Sequence, residues 1–266
     1  MPDALADFTR TTFTHGGTTR DVYELGDGPA VVVMAEIPGI TPKVADFARR
    51  VAGIGCTAVL PVLFGSPGRE PSAGYALRSI APACVSKEFA AFAADKTAPV
   101  TIWLRALAAD AHERCGGPGV GALGMCFTGG FALGMMLDER MIAPVLSQPS
   151  LPLGFSGKKK RAVQLSPADL EVVKQRAADG VCVLAYRFTG DPVAPHERFE
   201  RLRQELGDDH FIGVEIDSSK GNAWGYPRGA HSVLTEHYKD DEGSPTRQAL
   251  DQVLAFFTER LVAPAA

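Results

Sequence analysis

Val120-Gly-Ala-Leu-Gly-Met-Cys126-Phe-Thr-Gly-Gly130 is the stretch whose reading decides the fold. Its first five residues are small or apolar, which suits a short strand buried on both faces. From Phe127 to Leu137 the chain is apolar on nearly every side, which predicts a buried helix. A single thiol stands where strand passes into helix. So sharp a turn strains the backbone at its apex, and bulky side chains two before and two or three after the apex would collide. Gly124, Thr128 and Gly129 occupy those places. This is the pattern of a nucleophile elbow, with Cys126 where Ser more often stands. No Gly-x-Ser-x-Gly competes with it elsewhere in the chain. A helix N-terminus beneath the sulfur favours the thiolate. The backbone N–H of Phe127 is then placed to meet a developing oxyanion.

Working outward, strands and helices alternate on both sides of this turn. Upstream, Thr11 to Thr14 and Arg20 to Leu25 flank Gly16-Gly17 and read as an antiparallel hairpin. Ala30 to Met34 is an apolar strand, Pro42 to Gly53 a helix, Thr57 to Leu63 a second strand and Val100 to Glu113 a helix. Downstream, Met141 to Leu146, Val181 to Phe188 and Phe211 to Ile216 read as strands. Helices open at Ser166-Pro167, run from His196 to Leu206, and open again at Ser244-Pro245, ending near Leu261; Ser as cap with Pro in the first turn is a strong start signal. The pattern predicts an α/β fold: a mostly parallel central sheet, helices on both faces and an antiparallel N-terminal hairpin. One domain over 1–266 is expected, with the Gly- and Pro-rich stretch at about 64–96 forming a partial lid. Reactive groups in such sheets gather at the carboxyl ends of strands.

A thiol nucleophile needs a base, and the base needs an orienting group. On an α/β-hydrolase fold the order along the chain is nucleophile, acid, histidine. Asp191 follows a strand end in Thr-Gly-Asp191-Pro-Val. Of six histidines (His15, His112, His196, His210, His231 and His237), His231 lies in a Gly-containing loop after the last strand, in Arg-Gly-Ala-His231-Ser. Read singly, Asp191 equally suits a residue that only makes its turn. The three residues together stand in the required order, each after a strand.

The remaining cysteines fit other roles. Cys56 and Cys182 read as buried structural thiols, Cys115 as a loop residue, and Cys84 is undecided on the irregular segment. Five scattered cysteines without a CxxC pair argue against a disulfide framework and against a thiolate metal cage. Neither metal nor organic cofactor is expected. The formal net charge of −4 leaves no basic field for nucleic acid. The run Lys158-Lys-Lys-Arg161 reads as a solvated loop. No apolar stretch reaches the ~20 residues needed to span a bilayer, and Asp3 and Asp7 stand where a leader would carry basic residues. The expectation is a cytoplasmic protein acting on a small molecule; its oligomeric state is left open.

At these residues the chain resembles the dienelactone hydrolase family, over roughly Val31 to Leu261. The resemblance is carried by Gly-Met-Cys-Phe-Thr-Gly-Gly at 124–130, Ala-Glu-Ile-Pro-Gly at 35–39, Gly-Asp-Pro at 190–192 and Gly-Ala-His-Ser at 229–232. It implies a Cys126–Asp191–His231 triad cleaving an ester or lactone through a thioester acyl-enzyme, with a carboxymethylenebutenolide as a possible substrate type. It implies further that Glu36, at the end of a buried strand, interacts with the thiol and helps set its ionisation. A carboxylate after four apolar core residues is costly unless paired. The N–H of Ile37 would be the second oxyanion donor. Family members acting on dienelactone bind its carboxylate with arginines; Arg78 and Lys87 are the basic residues put forward for that task here. Thr128 stands where family members often have Gly. On the residues alone two alternatives stay open: a non-hydrolytic thiol sensor or ligand-binding module, and an acyl transferase or lyase on the same fold.

Overall fold

The structure, a computed structural model, describes residues 3–72, 74–79, 88–89, 96–151 and 157–263. Its centre is an eight-stranded sheet: β1 (Thr9–His15), β2 (Thr18–Leu25), β3 (Ala30–Met34), β4 (Thr57–Pro61), β5 (Val120–Met125), β6 (Met141–Ser147), β7 (Val183–Phe188) and β8 (Phe211–Ile216). The spatial order is β1-β2-β4-β3-β5-β6-β7-β8. β1 pairs antiparallel with β2, and β2 antiparallel with β4. Every other pairing is parallel. The hairpin thus forms one margin of the sheet, and strands β3, β5, β6 and β7 run side by side through its middle.

Side chains alternate across a strand, and β3 shows what that does here. Ala30, Val32 and Met34 enter one apolar core, while Val31, Val33 and Ala35 enter the other. The first core is closed by α2 (Val100–Cys115), α3 (Gly129–Met135), α5 (Pro167–Ala178) and α6 (His196–Leu206), through Leu104, Phe131, Val173 and Phe199. The second is closed by α1 (Pro42–Gly53) and α7 (Pro245–Phe257), through Val44, Phe47, Val253 and Phe257. Both faces of the central strands are buried, which is why their sequence reads as continuous apolar runs rather than as alternation. A short α4 (Gly157–Lys160) carries three of the basic residues; Lys160 pairs with Glu197 and Arg161 donates to Gln204.

Three helices start by the same device. Thr41, Ser166 and Ser244 accept the N–H of Val44, Asp169 and Arg247, each followed by Pro at the first helical position. Several boundaries differ from the sequence reading, most by one to four residues. β4 stops at Pro61 rather than Leu63, and β7 begins at Val183 rather than Val181. The predicted helix 127–137 is a 3-10 turn (Cys126–Thr128) followed by α3. Cys115, expected in a loop, is the last residue of α2. Of the stretch at about 64–96, a helical segment at 74–79 is described, and Cys84 and Lys87 lie outside the described residues.

Candidate active site

Cys126 follows β5 with φ of +55°, a left-handed conformation that a non-glycine residue adopts only under constraint. Two features impose it. At Gly124 an added Cβ would lie 2.2 Å from the carbonyl oxygen of Thr128, so the chain folds back on itself too tightly for any side chain. At Thr128 the buried hydroxyl accepts the N–H of Met125 at 2.8 Å and lies 2.9 Å from the carbonyls of Met34 and Met125, either of which takes its single proton. Thr128 thereby ties the turn to the neighbouring strand β3. The sulfur is half-buried and lies 3.3 Å from the Ser150 hydroxyl, whose single proton goes to it or to the Gln148 carbonyl at 3.0 Å. The Ser150 N–H in turn donates to the Cys126 carbonyl at 2.9 Å.

Asp191 stands three residues beyond β7 with its carboxylate fully buried. Oδ1 accepts the backbone N–H groups of Val193 at 3.0 Å and Ala194 at 3.2 Å; Oδ2 lies 2.6 Å from Nδ1 of His231. The buried Arg187 donates to the carbonyls of Ala194 and Thr189 and holds this loop at both ends. Burial pushes the His231 pKa down, but the negative charge at Cys126, the hydrogen bond to Asp191 and the hydrogen bond to the sulfur push it up more. The imidazole consequently holds its proton well above its ordinary range. His231 thus stands between the Asp191 carboxylate and the thiol of Cys126. At Nδ1 the carboxylate of Asp191 fixes the ring's orientation.

Glu36 is buried, yet its partners are not those the resemblance implied. Oε2 accepts the Ser232 hydroxyl at 2.6 Å and the Gln148 amide at 3.2 Å, and Oε1 accepts the Thr235 hydroxyl. Among the described residues none of its hydrogen bonds goes to the Cys126 sulfur. Gln148, itself at a positive φ of +37°, also accepts the N–H of Val233 at 3.2 Å. Glu36 and Gln148 therefore fasten the segment carrying His231 to the ends of β3 and β6. From the other side His237 accepts the backbone N–H groups of His231 and Ser232 on Nδ1, at 3.3 and 3.2 Å. Burial first, and then the charge of His231, lower the His237 pKa, which keeps that nitrogen an acceptor.

Behind the site lies Arg198, only 2% exposed. Its guanidinium donates to the carbonyls of Ala162 at 2.6 Å, Pro149 at 2.5 Å and Lys159 at 2.9 Å. Burial lowers its pKa to about 10, opposed by the charges of Asp191 and Cys126. It remains a cation near neutrality, joined to the loop of Ser150 and facing two acidic groups.

Two cavities meet at Cys126. One, of about 240 Å³, is lined by Ile37, Ala76, Cys126, Phe127, Ser150, Leu151 and Val193. The other, of about 360 Å³, takes in Glu36, Thr41, Ser72, His231, Ser232 and Glu236 together with Ile37, Ala76 and Cys126. Ile37 and Phe127, the expected oxyanion donors, flank the sulfur in the first. Arg78 is exposed on the 74–79 segment. No group of His, Cys, Asp and Glu among the described residues is arranged to hold a metal ion. No helix among them is long and apolar enough to cross a membrane.

The family model for the dienelactone hydrolase family matches residues 21–261. The chain belongs to the dienelactone hydrolase family. Membership makes it a hydrolase acting on ester bonds. Among solved structures it is similar to a Klebsiella pneumoniae protein assigned to the dienelactone hydrolases, at 19% identity and a TM-score of 0.63, covering 93% of this chain and 98% of that one. It is also similar to a cold-adapted esterase from an Arctic intertidal metagenomic library, at 13% identity and a TM-score of 0.57, covering 95% and 92%. At such identities the likeness establishes the α/β-hydrolase fold alone. No curated protein sequence matches the chain. The sequence reading put forward Cys126, Asp191 and His231, which the fold brings to one place, and passed over Ser150, Gln148, Thr235, His237 and Arg198. Ser150 and Gln148 sit just past a strand end, the position that drew attention to Asp191, and the same rule would have found them.

Proposed function

We propose that the protein cleaves an ester or lactone through a covalent thioester on Cys126, with His231 as base and acid and Asp191 as its orienting group. The observation that carries this reading is the bridge of His231 between Asp191 at 2.6 Å and the thiol of a strained elbow. The thiolate attacks the carbonyl carbon, and the N–H groups of Ile37 and Phe127 receive the oxyanion. As the tetrahedral intermediate collapses, the C–O bond to the alcohol breaks and the imidazolium of His231 gives its proton to the departing oxygen. Neutral His231 then takes a proton from water, the hydroxide attacks the thioester, and the acid leaves as the thiolate is restored. Thiolate is itself a good leaving group, so activated esters and enol lactones suit this site better than amides.

Glu36 serves this scheme as a positioning residue, acting on His231 through Ser232 and Thr235. The chain acts as one domain, with the 64–96 stretch as a partial lid, a reading supported by Ala76 at the mouth of both cavities. The test is steady-state hydrolysis of p-nitrophenyl acetate and of a dienelactone by wild type and Cys126→Ala, with intact mass recorded during turnover. The expected result is loss of turnover in the variant and an acyl adduct on Cys126 in the wild type. Equal activity in Cys126→Ala would remove the thiol from the reaction.

A further inference from the structure

The two cavities divide the substrate between them, and the chemistry at Cys126 dictates which half goes where. The departing alcohol must lie where His231 can protonate it. His231 lines the larger cavity, so the alcohol goes there, among Thr41, Ser72, Ser232, Glu36 and Glu236. The carbonyl oxygen must reach the N–H groups flanking the sulfur, at Ile37 and Phe127, and both residues line the smaller cavity. Ile37 borders both cavities but Phe127 only the smaller, which His231 does not line, so the acyl group extends into the smaller cavity.

The described walls of the smaller cavity are mainly apolar. Besides Cys126 and the Ser150 hydroxyl, which is turned to the sulfur, they are formed by Ile37, Ala76, Phe127, Leu151 and Val193. Among the described residues no charged side chain lines it. Phe127 packs in turn against Phe64, Phe89 and Phe131, so the floor is a cluster of rings. A carboxylate placed there would lose its water and find no cation among the described residues, a heavy cost. At ~30 Å³ for each small group, a volume of about 240 Å³ holds roughly eight non-hydrogen atoms. On the alcohol side the carboxylates are Glu36 and Glu236, the latter paired with Lys43 at 2.7 Å.

Building on the thiol-hydrolase reading above, we infer that the substrate is an ester with an uncharged, apolar acyl group of up to about eight carbons, seated in the cavity of Phe127, Leu151 and Val193, and with an alcohol that bears no negative charge. An anionic lactone acid is not the ligand this cavity is shaped for. Each methylene added to the acyl chain up to that limit raises kcat/KM by about three- to fourfold, as expected for one buried CH2.

The experiment is a series of p-nitrophenyl esters (acetate, butyrate, pentanoate, octanoate, dodecanoate and the hemisuccinate) with the wild type and Val193→Phe. The Val193 side chain is half-exposed at the cavity wall, so a ring is admitted without disturbing its N–H bond to Asp191. In the wild type, kcat/KM rises from acetate to octanoate and falls at dodecanoate. The hemisuccinate runs at least 100-fold below the pentanoate, which it matches in length. In Val193→Phe the octanoate-to-acetate ratio drops at least tenfold. Cys126-dependent turnover with a flat or falling chain-length profile, or with the hemisuccinate equal to the pentanoate, overturns the acyl assignment and leaves the thiol mechanism standing. Failure to turn over any ester of the series overturns both.

Discussion

Replacing Gly124 by Ala tests whether the elbow is set by steric demand. An alanine Cβ would lie 2.2 Å from the carbonyl oxygen of Thr128, 2.7 Å from its carbonyl carbon and 2.8 Å from the Cα of Gly129. All three are backbone atoms, and the Thr128 hydroxyl holds that backbone against β3. Relief requires the whole turn to move. Overpacking by one methyl costs about 1–3 kcal/mol when side chains give way; here backbone must give, so about 3 kcal/mol or more is expected. For a chain of this size that lowers Tm by ~6–12 °C. The same displacement takes Cys126 away from His231, so alkylation by iodoacetamide near pH 6 slows together with the stability loss. The control is Gly53→Ala at the exposed end of α1, where an added Cβ meets nothing within 4 Å. That change is neutral or stabilises by up to ~1 kcal/mol, through reduced freedom of the unfolded chain. Thermal unfolding by circular dichroism reads both. If Gly124→Ala unfolds within ~0.5 kcal/mol of wild type, the steric account of the elbow is wrong.

Two further outcomes follow from the charges around the site. The His231 pKa is raised in the fold above its ordinary value of 6.5, so the stability it contributes is complete below pH 6.5 and is lost as pH rises through the folded value. Cys126→Ala removes the sulfur charge from its surroundings; the imidazole titration followed by NMR then moves down in pH, and an unmoved titration would refute the ion pair. Arg198→Met strips three carbonyls of charged donors while relieving the burial of a cation, a net loss of about 3 kcal/mol in urea unfolding. Arg198→Lys recovers only part of it because an ammonium cannot span the fork, and equal stability of both variants with wild type would count against the stapling role.

Much of the fold was legible because buried parallel strands and capped helices leave local marks. The apolar run at Ala30–Met34, the small residues around Cys126 and the Ser-Pro starts of α5 and α7 are each readable within a dozen residues. The site was legible to the extent that chain order constrains it: Asp191 and His231 follow strands downstream of the elbow. What escaped was tertiary. The bonds of Glu36 to Ser232 and Thr235 join residues 196 and 199 apart, and no periodicity announces such a pairing. Glu36 stood out as a buried acid, but its surroundings belong to a loop at the far end of the chain. Nothing local marks Arg198 in its helix; its carbonyl partners come from Pro149, Lys159 and Ala162, far off in the chain. Phe127 and Thr128, part of the 3-10 turn, were read as the start of the helix, because apolar residues mark both alike.

The order of strands in the middle of the sheet also acts as a ruler. Cys126 and Asp191 leave strands β5 and β7, which are separated by β6 alone. Neighbouring strands lie ~4.8 Å apart, so the two chains are ~9.6 Å apart where they leave the sheet. One imidazole with a hydrogen bond at each end is the right length of spacer for side chains leaning toward each other across that gap. The strand between them is free to supply what the space beneath the ring needs, and its extension provides Gln148 and Ser150. From adjacent strands the two chains would leave the sheet only ~4.8 Å apart, and from one strand farther ~14 Å apart. The topology that decides which strand lies next to which thereby gauges the chemistry before any side chain is chosen.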